Sequence, residues 1–109
     1  MTTLGSGQFA YKVADGWENL PDGVGWREVA GVITDDDDNV YVFSRGDNPM
    51  VVFDRDGNFL KTWGEGVFTR AHGASRGPDN TLYLTDDGDH TVRQCTLDGE
   101  VLTTIGTPG

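Results

Sequence analysis

A repeat with a period of 42 residues constrains the fold more than any other feature of the chain. Residues 29–64 align without a gap to residues 71–106, and ten of the 36 aligned pairs are identical. The identical pairs are mostly turn residues or apolar strand residues: Gly31/Gly73, Asp37/Asp79, Tyr41/Tyr83, Gly46/Gly88, Asp47/Asp89, Asp56/Asp98, Gly57/Gly99, Leu60/Leu102, Thr62/Thr104 and Gly64/Gly106. A period of about 40 to 45 residues with four short strands in each unit is typical of a propeller blade. The repeat therefore predicts an all-β fold containing two four-stranded β-propeller blades.

Alternating apolar residues and turn residues locate the four strands of each unit. In the first unit we predict strands at residues 28–34, 39–44, 50–54 and 58–63, and in the second unit the same four strands shifted by 42. Asp56-Gly57 and Asp98-Gly99 separate the last two strands of each unit and predict tight turns, because glycine adopts positive φ freely. The acidic run Asp35–Asp38 is interpreted as a solvated turn, because a calcium loop requires glycine where Val40 stands.

We divide the chain into an N-terminal strand and loop (residues 1–28), blade 1 (29–70) and blade 2 (71–109), with the N-terminal strand at Phe9–Ala14. Two blades cannot close a ring, since closure takes about four to eight. Three two-bladed chains related by cyclic symmetry would make a six-bladed ring, so we expect a homotrimer. The alternative is that the chain is a fragment of a longer propeller.

The charge balance excludes several classes of partner. The formal net charge is −10 and the chain has only eight Lys and Arg residues, so neither nucleic acid nor an anionic membrane is expected as a partner. No apolar run approaches the roughly 20 residues that span a bilayer, and the first residues do not resemble a signal peptide, so we expect a cytoplasmic location. Cys95 is the single cysteine, which excludes an intrachain disulfide.

The spans VAGVITDDDDNVYVFSRGDNPMVVFDRDGNFLKTWGEG and AHGASRGPDNTLYLTDDGDHTVRQCTLDGEVLTTIG resemble NHL repeats. More narrowly, they resemble the first two of the six blades of the peptidyl-α-hydroxyglycine α-amidating lyases and their bacterial relatives. The features that carry this closer resemblance are FSRGD and the His-Gly pair after Phe68, and AYKVADGW resembles the opening strand of those enzymes.

The resemblance implies a set of site residues. Those lyases split the N–C bond of a peptidyl-hydroxyglycine and use a zinc ion held by three histidines at the mouth of the central channel. It assigns a catalytic role to Arg45, the role of first zinc ligand to His72, and binding of a structural calcium to the backbone carbonyls of Val32 and Ala74. The other two histidines, a catalytic tyrosine and a calcium-binding aspartate belong to blades that this chain does not contain.

In that family the zinc histidines come from alternate blades, so a trimer would bring three copies of His72 together, with Ala30 in the blades between. Three histidines with an open fourth position are a catalytic zinc arrangement. Whether the chain is an enzyme remains open, and a non-catalytic propeller that binds a peptide or protein is the alternative function.

Each candidate also has a structural interpretation. His72 could line the channel without a metal, and Arg45 could pair with Asp47 or another carboxylate. His90 is interpreted as a turn residue and Asp86 as an acceptor for backbone amides of the next turn. We expect the large aromatic residues to pack between the blades: Trp17, Trp26, Trp63, Phe43, Phe53 and Phe59.

Overall fold

The computed structural model describes residues 2–109, and its regular structure consists almost entirely of β-strands. Near the N-terminus, β1 (Thr3–Leu4), a 3₁₀ turn (Gly7–Phe9) and β2 (Tyr11–Lys12) form a short hairpin. Two four-stranded sheets follow, built from β3 (Val29–Thr34), β4 (Val40–Ser44), β5 (Met50–Phe53), β6 (Phe59–Trp63), β7 (Ala71–Gly77), β8 (Thr81–Asp86), β9 (Thr91–Thr96) and β10 (Val101–Ile105).

Both large sheets are antiparallel meanders whose strands follow each other in chain order. The sheet β3–β6 is called blade 1 and the sheet β7–β10 blade 2. All eight strands agree with the sequence-based bounds to within one residue at either end. The structure is therefore all-β, as predicted, and its two four-stranded sheets are consistent with propeller blades.

The turn between the last two strands has the same geometry in both blades. Gly57 and Gly99 have φ of 85° and 95°, the left-handed conformation expected of them. In blade 1 a carboxylate oxygen of Asp54 accepts the N–H groups of Asp56 and Asn58, at 2.9 and 3.0 Å. In blade 2 the hydroxyl of Thr96 replaces that carboxylate. The backbone shape of this turn is therefore independent of the residue that anchors it.

The largest core lies between the two blades, in a layer that we call the seam. Blade 1 contributes Tyr41, Phe43, Met50, Val52 and Trp63, and blade 2 contributes Leu82, Leu84 and Cys95. The innermost strands β3 and β7 approach closely. A Cβ added to Gly31 would lie only 2.8 Å from the Cβ of Ala74. Glycine at position 31 therefore sets the spacing of the blades.

The opposite face of blade 1 is covered by residues 17–26, which we call the cap. Trp17, Leu20, Val24 and Trp26 of the cap pack against Val42, Val51 and Phe53. The prediction that all six large aromatic residues pack between the blades is thus wrong in part. Phe43 and Trp63 do lie in the seam, whereas Trp17, Trp26, Phe53 and Phe59 belong to the cluster under the cap. The reason is that each sheet has two faces: Phe53 and Phe59 point to the face opposite the seam, and Trp17 and Trp26 belong to the cap that covers that face.

The cap packs on blade 1 in the way that blade 1 packs on blade 2. The indole N–H of Trp63 donates to the carbonyl of Leu97 at 3.1 Å, across the seam. The indole N–H of Trp17 donates, also at 3.1 Å, to the carbonyl of Arg55, which is the repeat equivalent of Leu97. The cap therefore makes the contact that the outer strand of a preceding blade would make.

The N-terminal strand differs from its prediction at Phe9–Ala14. Only Tyr11–Lys12 is a strand, and it pairs with Thr3–Leu4 rather than with a blade. The chain reverses at Gly5, whose φ is 86°, so residues 11–12 find a partner a few residues away. No helix among residues 2–109 is long and apolar enough to cross a membrane.

Asp86 anchors the connection between the blades, as its predicted role required. Its carboxylate is buried and accepts the N–H groups of Thr69, Arg70, Gly88 and Asp89, at 2.7 to 3.2 Å. Arg93 lies 3.6 Å from Asp86 and donates to Asp89 at 2.7 Å. The bond from Arg93 is the main cause that holds the pKa of Asp89 below its ordinary value.

The acidic run is solvated only at Asp36–Asp38. Asp35 is buried, which corrects the interpretation of the whole run as a solvated turn. Its carboxylate accepts the N–H groups of Asp37 and Asn39, both at 2.9 Å, and the hydroxyl of Tyr41 at 3.0 Å. Burial acts to raise the pKa of Asp35, but these hydrogen bonds outweigh it and the pKa is lowered.

Candidate functional site

The structure brings Arg45 and His72 together at one end of the seam. Arg45 directly follows β4, and His72 is the second residue of β7. Nη2 of Arg45 lies 3.4 Å from Nδ1 of His72. Two residues that were singled out in different blades therefore belong to one cluster.

The guanidinium of Arg45 is held by its own chain. Its Nε donates to the carbonyl of Ala71 at 2.8 Å, and its Nη1 donates to the carboxylate of Glu28 at 3.1 Å. Its partner is Glu28 and not Asp47, in agreement with the expectation that Arg45 pairs with Asp47 or another carboxylate. The side chain is only 24% exposed, so its direction towards His72 is fixed by packing and hydrogen bonds.

His72 has one engaged ring nitrogen and one free. Its Nδ1 lies 3.3 Å from a carboxylate oxygen of Asp87, in addition to the contact with Arg45. One nitrogen cannot satisfy both neighbours at once, because it donates to Asp87 when protonated and accepts from Arg45 when unprotonated. When Nδ1 carries the proton, Nε2 presents its lone pair and can bind a metal or accept a proton. The side chain is 59% exposed, so solvent reaches the ring.

The cluster contains the same ion pair twice, with the charges exchanged. In blade 1, Glu28 pairs with Arg45 at 3.1 Å, and in blade 2, Arg70 pairs with Asp87 at 3.5 Å. Residues 28 and 70 are equivalent in the repeat, and so are residues 45 and 87. His72 lies between the cation of one pair and the anion of the other.

Glu28, Arg70 and Asp87 were not predicted from the sequence as members of the site. A signal for them appears when the aligned repeats are extended by one residue, since positions 28/70 and 45/87 exchange acid for base together. The exchange indicates a site only if those positions lie close together in space, and an alignment does not show which positions do.

The other predicted positions lie outside this cluster. Val32 is on β3 and 59% exposed, and Ala74 is half-buried on β7 against Gly31. His90 lies in the turn before β9 with φ of 65°, in agreement with its interpretation as a turn residue.

One chain does not fit the zinc site that the family resemblance implies. Among residues 2–109, no three His, Cys, Asp or Glu side chains are grouped so that they could hold a metal ion. The cluster contains a single histidine, His72. A three-histidine site would therefore require three chains.

Comparison with known proteins yields two relatives. No protein-family model matches the chain. It is 32% identical over 108 residues to human NHL repeat-containing protein 3, an alignment that covers 91% of this chain and 31% of the relative. It is 39% identical over 79 residues to the mouse protein of the same name, which covers 64% of this chain and 22% of that relative. The chain thus spans less than a third of the length of these curated relatives. Their name agrees with the repeat family predicted from the sequence.

Proposed function

We propose a function for this chain as a partial NHL-repeat propeller that assembles with copies of itself into a ring. The ring is a homotrimer of six blades, lyase-like in ancestry, with His72 of each chain at the mouth of a central channel as a metal ligand. The observation that carries this proposal is that Nδ1 of His72 faces Arg45 and Asp87, which engages that nitrogen and leaves Nε2 free.

The inner strands support assembly between copies. In the seam, Gly31 of one blade receives Ala74 of the next. The equivalent pair between two chains would be Gly73 and Val32, and both are available: the nearest atom to a Cβ on Gly73 lies at 3.7 Å, and Val32 is 59% exposed. Blade 2 has Ile105 where blade 1 has Trp63, so it offers no indole to the next chain. The next chain does not need one, because its own Trp17 already donates to the carbonyl of Arg55.

The interface between chains would be weaker than the seam within a chain. Blade 1 presents Phe43 and Val52 to the seam, whereas blade 2 has Thr85 and Gln94 at the same positions of its outward face. Because these side chains are more polar, and because the cap already covers Val42, Val51 and Phe53 of the next chain's blade 1, little apolar area would be buried between chains and we expect the ring to dissociate on dilution.

We propose that zinc binds to the trimeric ring and not to a single chain. Three copies of His72 would hold the ion, and Asp87 would orient each ring through Nδ1. When bound, the ion supplies Lewis-acid chemistry. The carbonyls of Val32 and Ala74 are proposed as calcium ligands, on resemblance. Lyase activity further requires a proton-transfer group in place of the family's tyrosine, and Arg45 would orient the substrate.

A non-catalytic scaffold that binds a peptide or protein is the second candidate. The contacts of Arg45 favour it, because each nitrogen of the guanidinium already faces a partner within the chain: Ala71, Glu28 or His72. An arginine that serves a structural contact of this kind need not touch a substrate.

The test is the solution mass measured by light scattering on a sizing column, with the metal content read from the same peak. We expect a mass three times the 11.8 kDa of one chain at high concentration, and one zinc per three chains. A monomer at all concentrations would overturn the ring. A trimer without zinc after growth with zinc would favour the scaffold.

Two histidine variants isolate the metal ligand. His72→Ala should lose the zinc and keep the mass, whereas His90→Asn should keep both, because asparagine tolerates the left-handed conformation of that turn. Zinc retained in His72→Ala would contradict the role of His72.

A further inference from the structure

A cavity of about 210 Å³ lies where the cap meets the turn after β4. One wall is formed by Gly23, Gly25, Trp26 and Arg27, and the other by Gly46, Asp47 and Asn48. The walls are joined by the N–H of Arg45, which donates to the carbonyl of Arg27 at 2.8 Å. The cavity adjoins the His72 cluster at Arg45, but none of its lining residues is a hydrogen-bond or ion-pair partner of His72.

Arg27 distinguishes this cavity from the rest of the surface. The chain has 18 acidic and eight basic residues, so an arginine without a carboxylate partner is unusual. In the described part of the chain the other arginines all form ion pairs, and Arg27 forms none. Asp47 on the opposite wall forms none either. The cavity thus presents one cation and one anion that the protein itself does not neutralise.

Close contacts hold the backbone on both sides of the cavity. The ring of Trp26 packs edge-on against Phe53, with centroids 5.7 Å apart. A Cβ on Gly46 would lie 3.2 Å from the backbone nitrogen of Arg27, so the backbones approach closely at this point. The backbone on both sides of the cavity is therefore well defined, whereas the exposed side chains of Arg27 and Asp47 would become ordered when a ligand binds.

We propose that this cavity binds a small zwitterion of about dipeptide size. The carboxylate of the ligand accepts two parallel hydrogen bonds from the guanidinium of Arg27, its ammonium group pairs with Asp47, and its carbon atoms lie against Trp26. The volume is below the roughly 300 Å³ at which drug-sized pockets begin, so the ligand is small. The net charge of −10 repels anions, and a ligand with a compensating ammonium group avoids that repulsion.

The test is a titration of ¹⁵N-labelled protein with glycylglycine, followed by NMR. We expect saturable shifts of the amides of Gly23, Gly25 and Gly46 and of the Trp26 indole, with a Kd on the order of 1 mM. N-acetylglycylglycine lacks the ammonium group and glycylglycinamide lacks the carboxylate, so each should bind roughly tenfold more weakly. Absence of shifts, or equal binding of the blocked dipeptides, would overturn the proposal.

Substitutions test the roles of Arg27 and Asp47 in binding. Arg27→Gln and Asp47→Asn should each weaken glycylglycine binding roughly tenfold. Gly25→Leu should abolish it by filling the cavity, because a Cβ at Gly25 meets no atom within 4 Å and the fold can accept it. Arg55→Gln, which removes an arginine of blade 1 outside the cavity, is the matched control and should bind as the native chain does. Unchanged binding by Arg27→Gln would contradict the proposal, whatever the oligomeric state.

Discussion

Position 51 in blade 1 and position 93 in blade 2 are equivalent in the repeat, yet one is valine and the other is arginine. Val51 is fully buried under the cap, whereas Arg93 lies over the ring of Phe68 and pairs with Asp89. Among the described residues, no buried side-chain nitrogen or oxygen lacks a hydrogen-bond partner. The two blades show that the same strand position can carry either an apolar or a charged side chain, provided that each buried polar group has a hydrogen-bond partner.

The largest difference is expected between Trp63 and Trp17, whose indoles donate to equivalent carbonyls of the two blades. Trp63→Ala should lower the free energy of unfolding by about 3–5 kcal/mol, because Trp63 is buried in the seam. Trp17→Ala should cost about 1–2 kcal/mol, because Trp17 is half-buried at the edge of the cap. Urea denaturation measures both values. Equal losses would mean that the cap is as integral to the fold as the seam.

A substitution of Asp86 tests the buried charged residues of blade 2. Asp86→Asn should cost about 3 kcal/mol in urea denaturation, because an amide group would face backbone N–H donors and Arg93 would lose a neighbouring charge. Ser44→Ala, at the equivalent position of blade 1, should cost less than about 1 kcal/mol. A small loss for Asp86→Asn would show that Asp89 alone can neutralise Arg93.

The two equivalent tyrosines should differ by a smaller amount. Tyr41→Phe removes the hydrogen bond to Asp35 and should cost about 1–2 kcal/mol, since that acceptor is charged and buried. Tyr83 has Gly77 where Tyr41 has Asp35, so Tyr83→Phe should change stability by less than about 0.5 kcal/mol. Thermal unfolding of the two variants provides the comparison, and similar costs would contradict the importance of the Asp35 contact.

The smallest effect concerns acid and the β5–β6 turn. Hydrogen bonds from Asn58 lower the pKa of Asp54, so its contribution to stability is complete above the ordinary aspartate value of about 3.9 and is lost as the pH falls through the lowered value. Asp54→Thr installs the uncharged anchor that blade 2 uses. We expect little change at neutral pH and a smaller loss of stability below about pH 4. Urea denaturation at both pH values is the measurement, and an unchanged acid response would assign the sensitivity to Asp35 and Asp89.

The repeat made the strands and turns predictable, because they depend on local signals. Gly57 and Gly99 stand where positive φ is needed, and Tyr41 and Tyr83 keep the same strand position. The cap was not predictable, since Trp17 and Arg55 are 38 residues apart and no periodicity links them. The resemblance led to Arg45 and His72, but their mutual contact and their neighbours Glu28 and Asp87 depend on how two blades pack.

The meander order of the strands also determines where the entropy of loop closure is concentrated. Every pairing within a blade joins neighbouring strands, so each sheet can form by closing short loops, which is fast and entropically cheap. The bonds from Trp63 to Leu97 and from Trp17 to Arg55 close loops of 34 and 38 residues. The contact of Trp63 with Leu97 therefore joins blade 1 to blade 2, and the contact of Trp17 with Arg55 joins the cap to blade 1, so both add long-range cooperativity to sheets that are otherwise locally paired.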